Sequence, residues 1–243
     1  MPSREGRQIC VHGDYDADGI CATALAVLVL RELGADVTWH LPSRFDEGYG
    51  ARAGDDHAPR RGGLRARPDR RLRRLPAVDE VAHARELGLD VVVTDHHRAG
   101  RELPTARWSA RTAATTRSPS SAAPAWSGSS GRRCSAPTSE ALARHLDLVA
   151  VATVADVVPL VDENRGLAVA GLRQLARSQQ AGLQELMRSA RVDPATVDAG
   201  SDRLPAWHRA LNAAGRLGRP EAALELLLTE EREQAARLRW RPS

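Results

Sequence analysis

An α/β fold built on a doubly wound, mostly parallel sheet, with a helical C-terminal part, is what this 243-residue chain predicts. Short apolar strands alternate with Ala- and Leu-rich helical stretches through the first hundred residues. One of those strands, Leu89 to Thr94 (LDVVVT), is apolar without a break, as a strand covered on both faces of a parallel sheet is. Beyond residue 138 helical spacing takes over.

In order along the chain, Gln8 to His12 reads as a short buried strand. A helix follows over Ile20 to Leu33, closed by Gly34, and Asp36 to Leu41 (DVTWHL) is the next strand. Val78 to Leu87 is helical by its apolar spacing and leads through Gly88 into the Leu89–Thr94 strand. The C-terminal helices are Ser139–Val154, N-capped by Thr138 or Ser139, then Asn164–Arg177, Gly182–Ala190 and Pro220–Leu228. Thr229 caps a last helix reaching Leu238. Two stretches, 51–76 and 105–137, have neither period and are rich in Arg, Ala, Ser, Pro and Gly. They read as flexible basic surface loops, although loops of such length inside a domain are uncommon.

Composition bounds the function. Hydrophobic residues at 42% suffice for a core, and the length suits one sizeable domain with or without an appendage. Lysine is absent, so arginine supplies the positive charge, and a net charge of +4 gives only weak support for nucleic-acid binding. Cys10, Cys21 and Cys134 have no C-x-x-C spacing, which argues against a thiolate zinc site or a disulfide framework. The N-terminus has no apolar signal core, and Ile20–Leu30 is too short to span a bilayer. A soluble, cytoplasmic protein with no membrane partner is expected.

Three constellations carry chemistry. VHGDYDADGI, Val11 to Ile20, sets Asp14, Asp16 and Asp18 one residue apart just past the end of a strand, where α/β sheets place their sites. Two carboxylates and the His12 imidazole suit Mn²⁺ or Mg²⁺ better than a soft-ligand metal. The plainer reading is an acidic turn that favours the dipole of the following helix. TDHH, Thr94 to His97, stands at the end of another strand, on the same edge of the expected sheet. In ATVADVVPL, Ala152 to Leu160, Asp156 is a lone acid in an apolar run, costly unless exposed, paired or metal-bound.

Together with PSRFDEGYG (Pro42 to Gly50), Asn164-Arg165 and LNAAGRL (Leu211 to Leu217), these motifs resemble the DHH phosphoesterase superfamily. Within it the chain is similar to the RecJ-type exonucleases specific for single-stranded DNA. The resemblance implies a two-metal phosphodiesterase, using Mn²⁺ or Mg²⁺, that cuts single-stranded DNA from its 5′ end in repair and recombination. It implies that His12 and Asp16 hold one metal, and that Asp18, His96 and Asp156 hold the other. His97 would contact the scissile phosphate, Asp95 would orient a histidine, and Asp14 would lie behind the ligands. Arg44, Asn212 and Arg216 become candidates for binding DNA phosphates. Residues 1–195 correspond to the DHH domain and 196–243 to its helical end or the start of a connector. The family's DHH-associated domain and OB-fold are not visible, so the chain reads as the catalytic-domain portion of a larger enzyme. A phosphoesterase acting on short oligonucleotides or nucleotide phosphates, and a non-catalytic nucleic-acid-binding remnant, are the alternatives.

One family element is missing. An Asp-Cys-Gly motif, whose aspartate bridges the two metals, should precede the helix at Val78; the chain has Asp69-Arg70-Arg71-Leu72-Arg73 instead. Without that carboxylate the metal pair should bind more weakly and activity should be impaired. Either Asp69 or Asp79 substitutes in a diverged loop, or the stretch is translated out of frame. Asp69–Arg73 can be encoded GAC CGT CGA CTG CGG, which read one base later gives Thr-Val-Asp-Cys-Gly; this choice of codons shows compatibility only. Sequencing the gene checks this: neighbouring-frame codons for Asp-Cys-Gly are expected, and their absence ends the frame-slip explanation.

Overall fold

In a computed structural model of the chain the described residues are 8–42, 78–95, 105, 107–110, 136–190, 192–193 and 220–238. The N-terminal unit is strand–helix–strand: β1 (Ile9–His12), α1 (Ala17–Glu32) and β2 (Val37–His40). The two strands are parallel, in the register Ile9↔Val37, Cys10↔Thr38, Val11↔Trp39 and His12↔His40. The Ile9 N–H donates to the Asp36 carbonyl and the Gly13 N–H to the His40 carbonyl, both at 2.9 Å, so the register is pinned at both ends. A second unit joins α2 (Val78–Glu86) to β3 (Val92–Asp95), which pairs in parallel with β4 (Arg107–Ala110). Mixed α/β structure with parallel strands is thus what the chain forms.

The helical remainder comprises α3 (Ala136–Arg144), α4 (Leu146–Ala155), α5 (Asp162–Leu175), α6 (Ala181–Ser189), α7 (Pro220–Leu228) and α8 (Arg232–Arg237). The core lies between α1 and these helices. Ile20, Cys21, Ala24, Leu25 and Val27 of α1 are fully buried, as are Leu148, Val149, Ala150 and Ala152 of α4. Both helices are apolar nearly all round, the signature of a helix packed on every side. Leu175, Leu183, Leu224 and Leu227 complete the interior from α5, α6 and α7. No helix among the described residues is long and apolar enough to cross a membrane.

Five expectations are corrected. The single helix over Ser139–Val154 is two, broken at His145 (φ −118°, ψ 25°). Glu32, at the end of α1, accepts from Arg144 Nε at 2.9 Å and Nη2 at 2.5 Å, while His145 Nε2 lies 2.6 Å from its other oxygen. Neighbouring residues of a continuous helix point about 100° apart and cannot share one carboxylate, so the break aims both side chains at it. Burial draws the Glu32 pKa up, but the bonds from Arg144 and His145 outweigh it and hold the carboxyl below its ordinary value. The strand around Val92 is not covered on both faces: Val92 is 63% exposed and Thr94, on the same face, is exposed too, so only the other face is packed. Strand β1 is likewise half-buried, alternating along its length. A strand and the start of α3 lie within 105–137, which had been read as without period. Thr229 does not cap α8: Glu231 holds that position, and the Thr229 hydroxyl instead donates to Gln234 Oε1 at 2.9 Å.

Two glycines let described helices approach too closely for any side chain. A methyl on Gly171 would overlap the Leu146 carbonyl and stand 2.6 Å from the Ala150 methyl, where α5 meets α4. A methyl on Gly182 would overlap the Leu226 carbonyl of α7. Gly166, also in α5, has nothing within 4 Å of the same position. Gly171→Ala should therefore destabilise the chain by about 1–3 kcal/mol, whereas Gly166→Ala should stabilise it by about 0.5–1 kcal/mol. Urea unfolding of the two variants checks the opposite signs.

Candidate metal and phosphate site

The site begins where β1 ends. His12 closes the strand, Gly13 turns the chain, and Asp16 takes extended backbone (φ −81°, ψ 173°) to cap α1. Its Oδ1 accepts from the Gly19 N–H at 3.0 Å, and its carbonyl accepts from the Ile20 N–H at 2.8 Å. Asp14 Oδ1 accepts from the Tyr15 N–H at 2.7 Å. The turn folds this tightly only because position 19 is glycine: a methyl there would lie 2.5 Å from Asp14 Cβ and 2.7 Å from Asp16 Oδ1. Three carboxylates are thus held over the positive end of α1, which eases but does not cancel their mutual repulsion.

The strain shows in their protonation. Burial, then the charges of Asp18 and Asp14, push the Asp16 pKa up to about 8; the Gly19 N–H opposes the shift without overcoming it. Asp18 is itself 6% exposed and hydrogen-bonds the Asp16 side chain. Asp16 is thus held protonated above the ordinary carboxylate range by burial and its neighbours, and a divalent cation is the natural substitute for that proton. His12 is exposed along one edge, yet the atoms packed round it and the neighbouring His40 both disfavour its charged form. A neutral imidazole with an accessible edge can serve as a nitrogen ligand.

The rings of His12 and His40 lie 5.1 Å apart at 47°, the last residues of β1 and β2. Sequence reasoning did not single out His40. The signal lay in the parallel register of the two strands, which places equivalent end residues side by side. Asp156 is the exposed C-cap of α4, and Asp79 lies exposed in the first turn of α2. Asp95 ends β3, while Arg44, Asp69, His96, His97, Asn212 and Arg216 lie outside the described residues. Among the described residues no three His, Cys, Asp or Glu side chains converge on a common point, so the described part of the site is the Asp16–Asp18 pair, with His12 at the end of β1 standing apart from it. Paired hard carboxylate oxygens, with an imidazole four residues earlier in the chain, are donor types that suit Mn²⁺ or Mg²⁺.

A cavity of about 480 Å³ lies at the other end of α1, lined by Leu28, Arg144, Asp147, Arg173, Arg177 and Ser178 among others. Its arginines stand near the last turn of α5, where basic side chains complement the helix carbonyls. Asp147, 4% exposed, accepts from the Leu148 N–H and the Ser178 hydroxyl, both at 2.9 Å. That cavity is a feature of the helix ends and lies away from the aspartates.

The sequence profile of the DHH family, N-terminal domain, matches residues 8–153. The single-stranded-DNA-specific exonuclease RecJ of Bacillus subtilis is 34% identical over 244 residues, covering 95% of this chain and 29% of that protein. The enzyme of the same name from Thermus thermophilus is 36% identical, covering 97% of this chain and 34% of the relative. The chain therefore spans about a third of the length of these two relatives. Among solved structures, exonuclease RecJ bound to manganese matches with a TM-score of 0.75 at 30% identity, over 97% of this chain and 60% of that one. The Thermus thermophilus RecJ in complex with Mn²⁺ matches with a TM-score of 0.70 at 31% identity, over 97% of this chain and 34% of that one.

The raised Asp16 pKa has a measurable sign. The folded metal-free chain holds a proton that the unfolded chain, at 3.8, has lost, so stability should fall as pH rises from about 4 to about 8 and level off above. Asp16→Asn should flatten that fall, and Mn²⁺ should raise the melting temperature of the native chain at pH 8 but not of the variant. Thermal melts across this range check it; a pH-independent native curve would contradict the pairing.

Proposed function

The chain belongs to the DHH family, and from that premise we propose that it is the catalytic-domain part of a metal-dependent 5′–3′ exonuclease acting on single-stranded DNA. The proposal rests on one observation above all: the half-buried Asp16 and the buried Asp18 stand together at the start of α1, just past the carboxyl end of a parallel strand, and their proximity helps push the Asp16 pKa up. Likeness to single-stranded-DNA-specific exonucleases supports the choice of substrate.

In this reading His12 and Asp16 hold one metal, and Asp18, His96 and Asp156 hold the other. Bound Mn²⁺ or Mg²⁺ supplies Lewis acidity toward phosphate oxygens and lowers the pKa of water. The chain's own groups do the rest. The Gly19 N–H fixes the Asp16 carboxylate at the start of α1, within hydrogen-bonding reach of the Asp18 side chain. The atoms packed round His12, together with His40, disfavour its charged form and leave a ring nitrogen lone pair available. His97 contacts the scissile phosphate and Asp95 orients a histidine, while Asp14 steadies the turn from behind. Arg44, Asn212 and Arg216 position the DNA backbone by charge and hydrogen bonding, which fixes the strand without reading its sequence. The lack of an Asp-Cys-Gly motif weakens the metal pair, so activity should fall below that of a full-length relative.

Hydrolysis of labelled single-stranded DNA with Mn²⁺, alongside calorimetric titration of the metal, tests this. Mononucleotides released from the 5′ end are expected, with Asp18→Asn lowering the rate by about a hundredfold and removing Mn²⁺ binding. A preference for dinucleotides over long strands would overturn the assignment of substrate, and an absence of Mn²⁺ binding would overturn the enzyme reading itself.

A further inference from the structure

Three helix ends use the same backbone device with different residues. After α1, Gly34 has φ +82° and its N–H donates to the Arg31 carbonyl; after α2, Gly88 has φ +80° and donates to the Arg85 carbonyl. Both are the left-handed glycine that ordinarily closes a helix. After α4 the position falls to Val157, at φ +52°, with its N–H on the Val154 carbonyl at 3.2 Å. A β-branched side chain is the least suited to this conformation.

Packing does not compensate for the strain, because Val157 is 81% exposed. The turn that follows is locked in place. The Pro159 carbonyl accepts from the Val161 N–H at 2.9 Å and from Nδ2 of the fully buried Asn164 at 3.1 Å. Asp162, at φ +45°, closes the turn with the other positive-φ non-glycine among the described residues. Val161 is 51% exposed on the same turn. Strain held this firmly persists where it has a use.

We propose that Val157 and Val161 form an apolar contact for the sugar and base of the terminal nucleotide of a single strand, beside the carboxylate of Asp156. A nucleotide is an amphiphile, with a charged phosphate beside a largely apolar base, and this turn presents the matching pair: an exposed acid suited to a phosphate-bound metal, followed directly by exposed aliphatic carbon. The inference rests on the exonuclease reading, and it assigns Val157 a binding role that a glycine, easier for the backbone, cannot fill.

The experiment compares native chain and Val157→Gly, with Val161→Ser as a second variant, in Mn²⁺ with a phosphorothioate-protected single strand. Val157→Gly should raise the melting temperature by about 3 °C as the strain is relieved. It should bind the strand about fivefold more weakly, as expected for a lost partial isopropyl contact, with its Mn²⁺ titration unchanged. Removing the base from the 5′-terminal nucleotide should weaken the native chain similarly and the variant hardly at all. If Val157→Gly is more stable and binds equally well, or if the abasic end costs both proteins alike, the contact does not exist. If the native chain leaves the strand unbound, the exonuclease reading falls and this inference with it.

Discussion

A helix buried on nearly every side cannot move away from the charges at its own start. Helix α1 is packed against α4, α7 and the β1–β2 pair, and its first turn carries Asp16 and Asp18. Relaxing the repulsion by letting that turn fray would expose Ile20, Cys21 and Ala24, each fully buried. The cost of opening that core is several times the cost of holding a proton. The core therefore keeps the carboxylates together, and their pKa records the compression. Charges held together in this way are neutralised by whichever cation meets them, proton or metal, with the electrostatic cost already met by the fold.

The two ends of α1 solve opposite problems. At the N-terminus like charges are pressed together, and a proton on Asp16 relieves them. At the C-terminus Glu32 is satisfied permanently by Arg144 and His145, which join the first unit to the C-terminal helices across more than a hundred residues of sequence. One end is thus left with unmet electrostatic demand and the other with none, a contrast expected where one end acts and the other anchors.

How much of this was legible in the sequence depends on the distance over which each cause acts. The turn after β1 was legible because Gly13, Asp16 and Gly19 act on residues within a few positions, and their spacing alone places two carboxylates at a helix start. The helix ends at Gly34 and Gly88 were legible for the same reason. The break at His145 was not, because its cause is Glu32, and the apolar spacing from Ser139 to Val154 runs through the break undisturbed. His40 was overlooked because its meaning comes from strand pairing. The left-handed Val157 was invisible because valine signals strand or helix, and nothing local marks a position that overrides its preference.

The pairing of His12 with His40 has a consequence for how such a chain can change. Only the link 33–36 separates α1 from β2, and its end is fastened by Gln8, whose side-chain amide donates to Asp36 Oδ2 at 3.1 Å. Side chains alternate faces along a strand, so inserting or deleting one residue in that link would slide β2 by one position. Trp39 after an insertion, or Leu41 after a deletion, would then stand opposite His12, and His40 would turn to the other face. Substitutions in the link leave this arrangement intact, whereas a change in its length rearranges the site from a distance. Over evolutionary time the link should accept new letters far more readily than a new letter count.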